Sequence, residues 1–129
     1  MYINLWTQIA NEFKDYNEYL IFESMDEVFF YNYTYSIYDY TTLTNLNQAF
    51  VDAIRNTGGN NIERLLIIAG ANDDLEMTCF SDYKIPVDQS KKLAVSIHIL
   101  NHMILFLILI MNRIIGLIII ILHIHMAQR

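Results

Sequence analysis

Leu5, Trp6, Ile9, Ala10 and Phe13 recur at the spacing of one helical face, with Asn4, Gln8, Glu12 and Lys14 off it, which predicts a short amphipathic helix. After Asp15-Tyr16-Asn17 comes Tyr19-Leu20-Ile21-Phe22, an apolar run too short for a helix and bounded by polar residues, as in a strand buried on both faces. Residues 29 to 40 are crowded with tyrosines and lack steady periodicity, which predicts an ordered loop that presents amphipathic rings. Leu43, Leu46, Phe50, Ala53 and Ile54 then mark a second helical stripe, opened by threonines able to cap it and closed by Gly58-Gly59.

Leu65-Leu66-Ile67-Ile68-Ala69-Gly70 repeats the buried-strand signature, and Leu93-Ala94-Val95-Ser96-Ile97 repeats it again after about twenty loop residues. Helix, strand, long loop, helix, strand, long loop, strand is the rhythm of a parallel sheet with crossover helices. Ligands of such sheets sit beyond the carboxyl ends of the strands. The places to inspect are therefore Glu23 to Glu27, Asn72 to Asp74, and His98.

Composition divides the chain in two. Residues 1 to 98 hold nearly all the charge, whereas residues 99 to 129 carry only Arg113 and Arg129 among dense Ile and Leu, with no acid. The formal charge is −6 with only eight Lys and Arg, and these are scattered, so no basic stripe is available to neutralise a phosphate backbone; nucleic-acid binding is excluded. Cys79 is the single cysteine, so no internal disulfide forms and an ordinary loop thiol is expected. Met1-Tyr2-Ile3-Asn4-Leu5-Trp6 does not read as a basic leader followed by an apolar run. Asn32-Tyr33-Thr34 is a glycosylation sequon, relevant only in a secretory setting.

Glycoside cleavage needs a carboxylic acid to protonate the leaving oxygen and a second carboxylate as nucleophile or base, the two lying roughly 5 Å apart in retaining enzymes. Glu27, just past a strand end and beside the tyrosine-rich loop, suits the first role; a solvated loop glutamate is the plain alternative. The order of residues separates the two. Leu20-Ile21-Phe22-Glu23-Ser24-Met25-Asp26-Glu27-Val28 resembles the fourth strand of glycoside hydrolase family 5, the cellulase family, which ends Asn-Glu-Pro with the acid/base glutamate. Trp6-Thr7-Gln8-Ile9-Ala10 and Phe13-Lys14-Asp15-Tyr16 look like its preceding helix. Asn47-Gln48-Ala49-Phe50-Val51-Asp52 and Arg55-Asn56-Thr57-Gly58-Gly59-Asn60-Asn61 look like the next helix and its exit, and Lys92-Leu93-Ala94-Val95-Ser96-Ile97-His98 is similar to the sixth strand.

The resemblance implies an α/β fold over residues 1–98: part of an eightfold (β/α) barrel, roughly its fourth to sixth strands with crossover helices. It implies retaining hydrolysis of a β-1,4-glucan or related polysaccharide by a secreted parent enzyme, with no metal or other cofactor. Carried over by position, Glu27 is the proton donor, and Asp26 and His98 are substrate-binding; Tyr31, in the tyrosine-rich loop, is a further substrate-binding candidate. Asp26 stands where the family has a sugar-binding asparagine: an ionised Asp accepts hydrogen bonds but cannot donate them, and it adds a carboxylate directly beside Glu27. Val28 replaces the family's proline. The family's nucleophile belongs to the seventh strand, and no acid follows Asp88. A closed barrel takes about 250 residues. The chain as given is expected to be an inactive fragment that retains the acid/base alone.

Residues 99–129 form a separate hydrophobic tail. Met103 to Leu122 holds fifteen Ile, Leu or Phe in twenty residues, long enough for a tail helix across a bilayer despite Asn112 and Arg113. Each of the fifteen favours insertion by about 0.3 to 0.6 kcal/mol, against about 3 kcal/mol for the arginine. On this basis the tail would associate with a membrane or aggregate. The abrupt switch after His98 favours a frameshift over an anchor. One codon choice for residues 98 to 104 is CAT ATT TTA AAC CAT ATG ATT, and one T restored after the first codon gives His-Tyr-Phe-Lys-Pro-Tyr-Asp, a family-like continuation. The aspartate is forced, because the last base of Met103 and the first two of Ile104 spell GAT. His102, His123 and His125 are then by-products of the shift, with no acid or cysteine nearby to complete a metal site. The rival reading is a non-catalytic, membrane-tethered carbohydrate-binding module in which tyrosines 31, 33, 35, 38 and 40 stack on sugars. A third is a truncated product without function.

Overall fold

The computed structural model describes residues 1–34 and 36–98 in full, and the backbone of 119–123. Helix α1 (Tyr2–Glu12) and helix α2 (Tyr40–Arg55) pack on a parallel sheet built from β1 (Phe22–Glu23), β4 (Leu66–Ala69), β5 (Leu93–His98) and β6 (Ile119–His123), in the order β1-β4-β5-β6. A small antiparallel hairpin, β2 (Tyr31–Asn32) with β3 (Ile37–Tyr38), rises between β1 and α2. The loop after β4 contains a single 3₁₀ turn (Ala71–Asp73) and the one-turn helix α3 (Leu75–Thr78). Parallel registers align Phe22 with Leu66, Leu66 with Leu93, and Ala69 with Ser96, so the carboxyl ends of β1, β4 and β5 share one rim.

All four residues of β4 are buried, which is why its sequence is continuously apolar rather than alternating. The helical stripes meet the sheet there: Ala10 from α1 and Leu43, Phe50, Val51 and Ile54 from α2 join Phe22, Leu66, Ile68, Val95 and Ile97 in one core. Trp6 sets its indole against Phe22 at 5.8 Å and edge-on to Phe50 at 4.8 Å, joining both helices to β1.

Several expectations shift. The first strand begins at Phe22 rather than Tyr19, and Tyr19 and Ile21 are exposed. The reason is a turn at Asn17, whose side chain accepts from the Tyr19 amide while its carbonyl accepts from Leu20. The cap of α2 is Asp39 rather than a threonine: its carboxylate accepts from both the amide and the hydroxyl of Thr42, at 2.9 and 2.7 Å. The tyrosine-rich loop contains the hairpin. The expected tail helix is also corrected where it can be seen, since residues 119–123 form a strand parallel to β5, consistent with the strand preference of successive isoleucines. The remainder of that helix, Met103 to residue 118, and His102, His125 and Tyr35 lie outside the described residues. Among the described residues no helix is long and apolar enough to cross a membrane.

Gly70 closes β4 where only a glycine fits. A Cβ there would lie 2.5 Å from the Ser96 carbonyl oxygen and 2.8 Å from the Thr78 hydroxyl, while the Gly70 amide donates to that same carbonyl. Gly70→Ala should therefore separate β4 from β5 at the rim and destabilise the fold by about 2 kcal/mol or more, read as a lower urea midpoint with unchanged slope.

Candidate active site

The rim is fastened by buried polar side chains. Asn47, on the sheet-facing side of α2, donates to the Ala69 carbonyl at 2.9 Å, and the Ala69 amide is accepted by Ser24 Oγ at 3.1 Å and Asn47 Oδ1 at 3.3 Å. Tyr83, buried in the loop after α3, donates to the same carbonyl at 3.0 Å. These bonds fix the ends of β1 and β4 just before the loops that bear the carboxylates.

Beyond β1 the chain turns through Glu27, whose backbone is left-handed (φ 50°). That turn brings its carboxylate to 3.4 Å from Nδ1 of His98, the last residue of β5, while Asp26 Oδ1 lies 3.3 Å from Nε2 of the same ring. The imidazole is mostly covered, 18% exposed, whereas the two carboxylates are open to solvent at 61% and 68%. An open carboxylate and a ring braced against the sheet are what a molecule bound over the rim would meet. The structure thus brings together Glu27, Asp26 and His98. Flanking one ring on opposite nitrogens also relieves the crowding of adjacent carboxylates expected from the sequence.

Asp73 completes the group. Two consecutive left-handed residues, Asn72 and Asp73 (φ 52° and 50°), turn its side chain back under the rim, where it is 3% exposed. Asn and Asp are the residues other than glycine that best tolerate this backbone, and that is the signal the sequence offered. Neither Asp73 oxygen has a hydrogen bond of ordinary geometry. Burial pushes its carboxyl up; the charge of His98 and the Glu27 amide pull it down without prevailing, and Asp26 and Glu27 push it further up.

Tyr31 is not drawn into this group by the contacts described. Its ring stacks on Phe29 at 5.9 Å and meets Tyr33 edge-on at 4.9 Å. Tyr38 and Tyr40 are similarly engaged: the Tyr38 hydroxyl accepts from the Asn72 amide, and the Tyr40 hydroxyl donates to the Met77 carbonyl. Of tyrosines 31, 33, 38 and 40, only Tyr33 is largely exposed, at 86%. Tyr31, Tyr38 and Tyr40 are thus engaged in packing and hydrogen bonds, whereas the ring of Tyr33 is open to solvent. Cys79 is exposed, just beyond α3.

Comparison with known proteins agrees with this layout. The family described as "Cellulase (glycosyl hydrolase family 5)" matches residues 1–100. Endoglucanase A of Paenibacillus barcinonensis is 42% identical over 96 residues, which cover 73% of this chain and 24% of that protein. Endoglucanase B of Clostridium cellulovorans is 37% identical over 99 residues, 73% of this chain and 22% of that protein. The chain therefore spans about a quarter of the length of the curated relatives it matches. Among solved structures, a broad-specificity endoglucanase from an uncultured bovine rumen ciliate superposes with a TM-score of 0.72 at 55% identity, over 76% of this chain and 27% of that one. A family 5 xyloglucanase from Paenibacillus pabuli does so with a TM-score of 0.68 at 38% identity, over 78% and 31%. With strand order, rim residues and sequence all pointing the same way, the chain belongs to glycosyl hydrolase family 5, the cellulase family.

Proposed function

We propose that this chain supplies the acid/base half of a retaining endo-β-1,4-glucanase-type site, and that as it stands it does not turn over substrate. The observation that carries the reading is the Glu27–His98 pair, a glutamate and an imidazole 3.4 Å apart at the carboxyl rim of a parallel sheet. In the intact barrel Glu27 gives its proton to the leaving glycosidic oxygen and then, as the carboxylate, activates the water that releases the glycosyl intermediate. His98 holds the Glu27 carboxylate in place and borders the sugar bound in the cleft. Asp26 faces the sugar as an acceptor, with no proton to donate while ionised.

The second carboxylate is the missing part. In the order β1-β4-β5-β6, the strand beside β5 is Ile119–His123, and neither it nor any residue after Asp88 is an Asp or Glu. Similar solved structures include a family 5 lichenase in complex with cellotetraose and a family 5 xyloglucanase, so the glucan class extends to this chain as a proposal. The match to the family stops near residue 100, which supports assigning residues 99–129 to an out-of-frame tail; the parent enzyme, acting on an external polysaccharide, is secreted. The purified 129-residue chain should release no reducing sugar from carboxymethyl cellulose, lichenan or xyloglucan. Measurable release that disappears in Glu27→Gln would sink the half-site reading.

A further inference from the structure

The rim holds more negative charge than acid/base chemistry needs. Asp26, Glu27 and Asp73 converge on one imidazole in a chain whose net charge is already −6. One oxygen each of Asp26 and Asp73 and one ring nitrogen of His98 lie within 4.8 Å of one another. By geometry, some point then lies within about 2.8 Å of all three, and modest side-chain rotations shorten that to the roughly 2.0–2.2 Å of Zn–O and Zn–N bonds. Two ligands on a tetrahedral zinc sit about 3.3 Å apart, and Asp26 Oδ1 and His98 Nε2 are separated by 3.3 Å.

Asp73 is the independent sign. A carboxylate 3% exposed, with both oxygens lacking a hydrogen bond of ordinary geometry, is costly to keep ionised, and it faces into this cluster. The ring supplies a second indication. A neutral imidazole has one N–H, yet both His98 nitrogens stand 3.3–3.4 Å from carboxylate oxygens. With the proton on Nδ1 toward Glu27, Nε2 presents a lone pair toward Asp26, an arrangement that a cation between them stabilises. Carboxylate to imidazole N–H, with the opposite nitrogen on a metal, is the usual outer support of a histidine ligand.

We propose that Asp26, Asp73 and His98 form a binding site for a divalent transition-metal cation of the zinc type, with Glu27 as the outer-sphere partner of His98. Two carboxylate oxygens and one imidazole suit zinc better than magnesium or calcium, which prefer all-oxygen shells. The cation is no reactant: it ties down Asp26 and His98 and blocks the sugar subsite, so it is an inhibitor of any barrel built on this segment. The proposal rests on the carboxylate geometry and not on proton donation by Glu27, so either reading can fail alone.

Isothermal titration of the full 129-residue chain with zinc chloride at neutral pH tests it, with circular dichroism confirming that each variant folds. The expected result is one site per chain, not displaced by excess magnesium. Asp26→Asn and Asp73→Asn should each weaken it by more than the tenfold to hundredfold expected of an outer-sphere loss, and Glu27→Gln by about ten- to a hundredfold. His123→Gln/His125→Gln should leave it unchanged. No binding up to millimolar zinc, binding unchanged in both aspartate variants, or binding lost with the tail histidines would overturn the proposal.

Discussion

In a barrel completed by grafting residues 1–98 in place of the matching segment of the Paenibacillus barcinonensis endoglucanase, Glu27→Gln should lower kcat on a soluble cellulose derivative by about 10²- to 10⁴-fold. The relative contributes the part of the family 5 protein that this chain does not cover, which is where the reading places the nucleophile. Glutamine matches the size of glutamate and keeps a polar contact with His98, so the change removes a proton rather than a shape. The loss should depend on the leaving group. Aryl glycosides whose leaving group departs without protonation should be cleaved by the variant almost as quickly as by the parent graft in the first step, while cellotetraose should not be. A merely structural role for Glu27 predicts equal losses on both substrates. In the same graft Asp26→Asn should raise kcat/KM about tenfold, the worth of one regained donor to the sugar.

The elements legible in the sequence are those whose pattern is set by burial. Leu43, Phe50 and Ile54 on α2, and the unbroken Leu66–Ala69 run, announce a helix and a strand because every such position is covered in the fold. His98 and Glu27 were legible for another reason: each follows an apolar run by a few residues, and parallel strands bring their carboxyl ends to one rim. What escaped depends on backbone atoms that a sequence does not display. Tyr19 and Ile21 look like strand residues, but the Asn17 turn and the carbonyls claimed by Arg64 hold that stretch outside the sheet. Asp39 is an unremarkable acid until Thr42 is seen to bond to it twice. Asp73 lies in a stretch flagged only by its position after a strand, and its burial follows from left-handed dihedrals at two adjacent residues.

Arg64 is the furthest from any sequence signal, and its replacement should have the largest effect on stability. A charged residue beside a strand is expected at the surface, yet Arg64 is 1% exposed and its guanidinium is fully employed. Nε donates to Asn61 Oδ1 at 2.6 Å; Nη1 donates to the carbonyls of Asn17 and Leu20, and Nη2 to those of Phe13 and Tyr16. The cation also lies 5.0 Å over the Phe22 ring. One side chain thus ties together the C-terminal end of α1, the turn that follows it and the entry to β1. Asn61 extends the same clasp by donating to the Ala10 carbonyl at 2.8 Å. Burial pulls the Arg64 pKa down, with nearby Arg55 adding to the effect, but a guanidinium remains charged at any working pH. Arg64→Leu keeps the apolar stem but leaves the Leu20 carbonyl and the Asn61 side-chain oxygen unmet, at about 1–3 kcal/mol each, and takes one charge-assisted bond apiece from the carbonyls of Asn17, Phe13 and Tyr16, which still accept from Leu20, Tyr16 and Asn60. Allowing for water reaching some of them, the loss should be about 4 kcal/mol or more, enough to abolish soluble expression of a fold of ordinary stability. Arg64→Lys restores the charge but offers three donors at a single point, so it should recover less than half of the loss in urea unfolding. Equal stability of the lysine variant and the parent would mean that charge, rather than the planar five-donor fork, holds α1 and β1 together at Arg64.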